Sequence, residues 1–518
     1  MGLAELCIRY VGVMYKHKRK SGVLLHPTAL PGPYGIVEIG PHAYCFVDHL
    51  SEMGQTLWQI LPIGPTDFHN SPYSSMSTFA GNHLLISLDL LVEDGLLDFK
   101  MLEGYQAVDL HKIIFNDVIN FKLPILKQVG QNFDKKASVE MKISFEQFCI
   151  DQSYWLDDYS RYWALKEEND QKSWFEWKLR TVQNTEYVHE AKVIQFLFHN
   201  QWHRLRQYCQ GKGIQIIGDM PIYVGHDSAD VYANPELFQL DSEDRMKYQG
   251  GCPPCEYQEE GQLWGSPLYN WQNHEKTNFE WWQRRFKKLF EMVDIIRLDH
   301  FIGYAKYYRV PITDQTAHNG EWIQAPGDKL FQVLDSTIMD FNVIVEDLGD
   351  VTEDIISLRE TYHFPGMRVL QFEFCQMSLV KDLPENSVVC TGTHDNDTLL
   401  GWFESLPVKS SDGDMLTQNK LLQFFQCTKE NIHWEIISYA LNTASYTVTI
   451  PLQDILGENS SARFNIPGTL SPDNWSWRME EGKLTHSLKN KLAELTKSHR
   501  RNGSAIKNLL KKEIESWK

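Results

Sequence analysis

The sequence predicts an α/β fold: a single (β/α)8 barrel of TIM type over residues 1–518, with large helical and loop insertions over its C-terminal face. Three observations carry this. A short apolar run ending in polar or charged residues recurs eight times. Helix-patterned stretches such as 281–292 and 420–441 stand between the runs. The chain, at 518 residues, is too long for one simple core, so added segments are expected.

The apolar runs lie at 22–25, 56–63, 214–219, 293–299, 343–347, 367–372, 388–393 and 446–450. Unbroken apolar runs of this length read as strands buried on both faces, as in a parallel sheet. Their spacing is uneven. About 150 residues separate the second run from the third, far more than a loop needs. Residues 64–212 therefore read as an inserted helical subdomain, with helix-like stretches near 135–151 and 186–208. A second insertion, 223–279, is rich in Gly, Pro, Tyr and Trp and reads as ordered loops over the barrel mouth. The tail beyond residue 500 reads as a short basic helix carrying Lys507, Lys511 and Lys512.

Bulk chemistry narrows the function. A net charge of −18 repels nucleic acid and anionic membrane surfaces but leaves a neutral ligand unaffected. Aromatic residues make up 12%, which suits either a packed core or the apolar faces of sugar rings. Nine scattered Cys lack a disulfide framework, no apolar run is long enough for a bilayer, and the basic cluster 16–20 follows the apolar stretch 3–15 instead of preceding it. A cytoplasmic protein is expected.

Reacting groups of such a barrel sit at the C-terminal strand ends. Three runs end in acids there: Arg297-Leu-Asp299, Glu346-Asp347, and Thr391-Gly-Thr-His394-Asp395. Strand side chains alternate, so Arg297 and Asp299 point the same way. If they face the barrel axis, Arg297 lies beneath Asp299 and favours its ionised form. A fixed, ionised carboxylate is a nucleophile. Glu346, one strand over, is its natural acid/base partner, and Asp395 can stabilise positive charge on a sugar. Two carboxylates about 5 Å apart would act with retention, through a covalent glycosyl-enzyme. A single acid after a strand also suits a helix N-cap. Three such acids with an arginine behind one of them favour chemistry.

The segments Arg297-Leu-Asp-His-Phe301, Val345-Glu-Asp-Leu-Gly349, Phe364-Pro-Gly-Met367 and Thr391-Gly-Thr-His-Asp-Asn-Asp397 resemble the hallmark segments of the 4-α-glucanotransferases (amylomaltases, glycoside hydrolase family 77). The resemblance extends to Trp58-Gln59, Ser71-Pro-Tyr73, Phe79-Ala-Gly-Asn82, Gly218-Asp-Met-Pro-Ile-Tyr223, Gly261-Gln262, Trp264-Gly265, Ala462-Arg-Phe-Asn465 and Asn474-Trp-Ser-Trp-Arg478. It implies a cofactor-free and metal-free enzyme that transfers α-1,4-glucan segments between maltooligosaccharide or starch-type chains. It also implies that Asp299 is the nucleophile, Glu346 the acid/base and Asp395 the transition-state stabiliser. Arg297 and His394 would bind the sugar at the cleavage point, Tyr73 would stack on it, and Asp219, Gln262, Trp264 and Asn465 would line the substrate site. The glycines flanking Trp264 suggest a mobile surface loop.

One departure stands out. Where the family carries Pro-Pro-Asp-Tyr-Phe-Ser, this chain reads Pro253-Pro254-Cys255-Glu256-Tyr257-Gln258, which puts substrate range in question but leaves the three acids intact. Cys252 and Cys255 form a CxxC pair with no second pair to complete a zinc site. Two other readings stay open: a hydrolase, in which water resolves the same intermediate, and a glucan-binding protein without catalysis.

Overall fold

The computed structural model describes residues 19–255, 258–375, 383–410 and 415–501. Glu256, Tyr257, the N-terminal stretch and the basic tail lie outside these. In chain order the strands are β1 (Lys20–Leu24), β2 (Leu57–Gln59), β3 (Gln215–Met220), β4 (Tyr248–Cys252), β5 (Gln262–Pro267), β6 (Ile295–Leu298), β7 (Lys306–Pro311), β8 (Glu321–Gln324), β9 (Val343–Val345), β10 (Gly366–Val369), β11 (Ser387–Cys390) and β12 (Thr447–Pro451).

Eight of them close a barrel in the order β1-β2-β3-β6-β9-β10-β11-β12, and every neighbouring pair is parallel. Each of the eight apolar runs coincides with one of these strands. The barrel wall is dry: Val23, Ile216, Ile296, Val345, Val389 and Val448 are fully buried. Each such side chain contributes about 1.5–3 kcal/mol on burial, which is why the runs are apolar on both faces. Gly218 has a steric reason. A Cβ there would come within 2.6 Å of Val293 Cγ1, so only glycine lets β3 run on to Asp219.

Between β2 and β3 stand the helices Phe115–Lys136, Val139–Asp151, Ser153–Glu168 and Thr185–Gly211. The last of these closes onto the barrel, where Trp202 Nε1 donates to the Met292 carbonyl at 2.8 Å. It also holds the preceding loop through two buried amides. Gln195 exchanges hydrogen bonds with both backbone groups of Gly81 (2.8 and 2.9 Å), and Gln201 does the same with Ser87 (2.7 and 3.1 Å). Paired backbone groups cannot drift without leaving a buried amide unsatisfied, so the loop that carries Tyr73 is fixed.

A second sheet, order β5-β4-β7-β8, is antiparallel and draws on both sides of β6 in sequence. Its strands are short and largely half-buried. Trp264 lies in β5 and not in a loop. The helix-patterned stretch 420–441 is two helices, Gln418–Phe425 and Ile432–Asn442. The first ends where Gln426 adopts a left-handed conformation, φ 51°. Similarly, only the first half of the run 367–372 is strand, and the helix Leu370–Cys375 takes over the rest. Among the described residues no helix is long and apolar enough to cross a membrane.

Candidate active site

The acids converge at the C-terminal end of the barrel around one guanidinium. Arg297 is buried near the end of β6. Its Nη1 donates to both carboxylate oxygens of Asp219 at 2.7 and 2.6 Å, and to Asp299 Oδ1 at 3.2 Å. Its Nη2 donates to Glu346 Oε2 at 2.9 Å. Strand register makes this possible: Asp219 is directly opposite Arg297 across the β3–β6 ladder, and Glu346 follows the last residue of β9. Burial opposes the charge of Arg297, but Asp219 and Glu346 outweigh it and hold the guanidinium above its ordinary range.

Asp299 and Glu346 are hydrogen-bonded to each other and behave as one pair. Burial and the Glu346 charge push the Asp299 carboxyl well above the usual carboxylate range, against the pull of Arg297. Burial would raise Glu346 too, but Arg297 and the His300 N–H (2.9 Å) bring it below its ordinary value. Within the pair Asp299 is therefore pushed up and Glu346 down. Arg297 does favour the ionised form of Asp299, as expected, but burial and the Glu346 charge outweigh it, and Arg297 gives Asp299 the longest of its four contacts.

Across the opening sits the segment after β11. His394 Nε2 approaches Asp395 Oδ1 at 3.4 Å, and Asn465 Nδ2 donates to the same oxygen at 2.6 Å. Burial would raise Asp395, but His394 and the Asn465 amide overcome it and draw the carboxyl down to about 2. Tyr73 joins the two sides. Its hydroxyl donates to Asp219 Oδ2 at 2.7 Å and lies 3.3 Å from His394 Nδ1, while its ring stacks on the His394 ring at 4.8 Å and 18°. Burial and the Asp219 charge keep its phenol protonated, hence a donor.

Gln262 and Trp264 reach the site from β5, with Trp264 Nε1 donating to Gln262 Oε1 at 2.9 Å. Trp264 contacts Tyr223 (5.9 Å) and stands edge-on to His300 (4.9 Å, 82°). All ten residues singled out from the sequence thus lie in two linked clusters, with His300 the bridge between them.

Residues 25–485 match the family model described as 4-alpha-glucanotransferase (Glyco_hydro_77). The chain belongs to the 4-α-glucanotransferase family. The Synechocystis sp. 4-alpha-glucanotransferase is 40% identical over 93% of this chain and 98% of its own length. That of Streptococcus pneumoniae is 38% identical over 95% and 100%. The potato (Solanum tuberosum) chloroplastic/amyloplastic 4-alpha-glucanotransferase is 39% identical over 89% and 82%. The amylomaltase of Streptococcus agalactiae, solved in complex with acarbose, superposes with a TM-score of 0.88 at 34% identity, covering 93% of this chain and 100% of that one. The chain is an enzyme, a 4-α-glucanotransferase acting on α-glucans.

The sequence reading passed over several residues that hold this glucanotransferase site together. Arg463 donates from Nη2 to the Asp395 carbonyl at 2.7 Å and from Nε to the Asn465 carbonyl at 2.8 Å. Trp475 packs on Tyr73 (5.8 Å) and His394 (5.9 Å). Buried Asp454 accepts from Thr391 Oγ1 (2.6 Å) and the Leu399 N–H (2.7 Å), and burial pushes it up to about 7. His26 is driven down to about 3 by burial, with His394 adding to the effect, and so stays neutral. Arg463 and Trp475 fell inside motifs quoted above, beside residues that were chosen. Asp454 and His26 had no such signal.

Proposed function

We propose that glucan transfer proceeds here by retaining double displacement. The proton of the Asp299–Glu346 pair passes to Glu346, which gives it to the glycosidic oxygen as that bond breaks, and the Asp299 carboxylate so freed bonds to the anomeric carbon. The acceptor hydroxyl then gives its proton back to Glu346 as it displaces Asp299. Asp395, held ionised, stabilises the positive charge that develops on the sugar. Arg297, Asp219, His394 and Tyr73 hold the sugar at the cleavage point, and Asn465, Gln262 and Trp264 line the adjoining groove.

The observation that carries this is the hydrogen-bonded Asp299–Glu346 pair over Arg297. Carboxyls in hydrogen-bond contact suit retention, whereas inversion needs a wider gap that admits a water. No metal or cofactor enters the scheme. The segments 64–212 and 223–279 act as substrate-site insertions, since they contribute Tyr73 on one side and Gln262 with Trp264 on the other. The eight described cysteines are all free, in keeping with a cytoplasmic enzyme.

The test is maltotriose. Transfer yields glucose and a ladder of longer maltooligosaccharides with little gain in total reducing ends. Reducing ends that rise in step with bond cleavage would make the protein a hydrolase.

A further inference from the structure

His300 follows Asp299 directly, and its backbone is left-handed, φ 45°, a region uncommon for residues with a side chain, though histidine enters it more readily than most. Its N–H donates to Glu346 Oε2 at 2.9 Å. Such departures persist only where the surroundings enforce them. Both neighbours are held by backbone hydrogen bonds, Asp299 N–H to the Met220 carbonyl at 3.1 Å and Phe301 N–H to the Glu346 carbonyl at 3.0 Å, and between them the residue is packed by its ring. The ring stands edge-on to Trp264 (4.9 Å, 82°), and its buried Nε2 has no hydrogen-bond partner. Gly303 leaves it space, since a Cβ there would sit 3.2 Å from His300 Cδ2. The ring is seated by packing.

We propose that His300 is a positioning residue whose ring, seated against Trp264 of β5, holds the backbone so that its N–H orients Glu346, coupling the mouth sheet to the acid/base group. This rests on the reading of Glu346 as acid/base. The other groups that face Glu346 are Arg297 and Asp299 from β6, Asp395 from beyond β11 and the Cys390 thiol of β11. Arg297 is the only cation among them, and it is shared with Asp219 and Asp299. The His300 N–H is thus the donor that serves Glu346 alone.

The experiment compares His300→Ala with His300→Asn. Both remove the ring, but only asparagine adopts the left-handed backbone readily. With maltotriose, His300→Ala should lower kcat about 30-fold with KM changed less than about threefold, and His300→Asn should stay within about fivefold of the parent. Losing a hydrogen bond to the ionised form raises the Glu346 pKa, so the alkaline limb of kcat/KM should move to higher pH in His300→Ala. First-turnover fluoride release from α-maltosyl fluoride, whose leaving group needs no proton, should be within about threefold of the parent.

Equal losses in the two variants, an unmoved limb, or an equal loss on the fluoride donor would each overturn the proposal. Glu346→Gln separates the two claims. It should abolish maltotriose transfer but keep fluoride release, and if it does not, the acid/base reading falls and takes this one with it. Should His300→Ala not fold, Trp264→Ala empties the ring's seat from the other side and must shift the same limb.

Discussion

The two halves of the site treat their carboxylates oppositely, and Asp395 is the more exposed, at 40% of its side chain against 22% for Asp299 and 21% for Glu346. At the ends of β3, β6 and β9, three acids crowd one arginine, and Asp299 is pushed well above the ordinary range. Beyond β11, Asp395 has His394 and an amide to itself and is drawn down to about 2. Desolvation leads at both positions, so burial does not decide the outcome. The number of partners per charge does. On one side negative charge is in excess and a carboxyl is pushed up. On the other the charge is neutralised and fixed, which suits a group that must stay ionised through the reaction.

The largest expected effect comes from the crowded side. Asp299→Asn should lower transfer by about 10⁴-fold or more, because the covalent route is lost, while maltotriose binding by calorimetry survives. Activity within about tenfold of the parent, a difference of only about 1.4 kcal/mol, would break the assignment.

Arg297→Gln attacks the same side through its shared cation. It leaves Asp219 and Glu346 buried with no guanidinium, and loss of one partner of a buried pair costs about 3–5 kcal/mol. Urea unfolding at neutral pH should show a loss of that order, and it should shrink as the pH falls and the acids are protonated. A loss under about 1 kcal/mol would mean that other groups carry the charge balance.

Asn465→Ala tests the other side. A hydrogen bond to a charged group contributes about 1.5–3 kcal/mol, so kcat should drop about tenfold to a hundredfold with KM nearly unchanged. The sign of the pH effect follows from the direction of the shift. Asp395 is depressed, so its contribution is present above the unfolded carboxylate value and is lost as pH falls through about 2. Without Asn465 that loss should begin at higher pH, and the acid limb of activity should move up.

The smallest effect concerns Asp454, a buried acid with neither cation nor histidine bonded to it among the described residues. Its pKa is raised to about 7, so the stability it contributes is present below about pH 4 and fades as pH rises towards 7. Asp454→Asn should flatten the parent's decline in melting temperature between pH 5 and 8, with turnover changed less than about threefold. An unchanged pH profile would show that Asp454 does not titrate in that range.

How much of this was legible varied with the kind of interaction. The eight barrel strands were readable because a strand buried on both faces must be apolar throughout, a property each run shows alone. Asp299, Glu346 and Asp395 were readable because they interrupt those runs at their C-terminal ends, and Arg297 because alternation places it on the same side as Asp299. The sheet β5-β4-β7-β8 was not. Its strands are short, rich in Gly, Tyr and Trp, and half-buried, so no period marks them, and its partners flank β6 in sequence. Nor was the break at Gln426, because a glutamine in the left-handed region is set by its surroundings and not by propensity.

By itself, then, the sequence determined the barrel and the acids gathered at one end of it, because those follow from local apolar pattern and side-chain alternation. Only the tertiary structure decided which acid is pushed up and which is drawn down, how Tyr73 meets a histidine 321 positions away, and that the His300 N–H meets Glu346. Electrostatic interaction depends on distance in space. Residues far apart in the chain reach 3 Å only after the barrel has closed, and no local pattern encodes that distance.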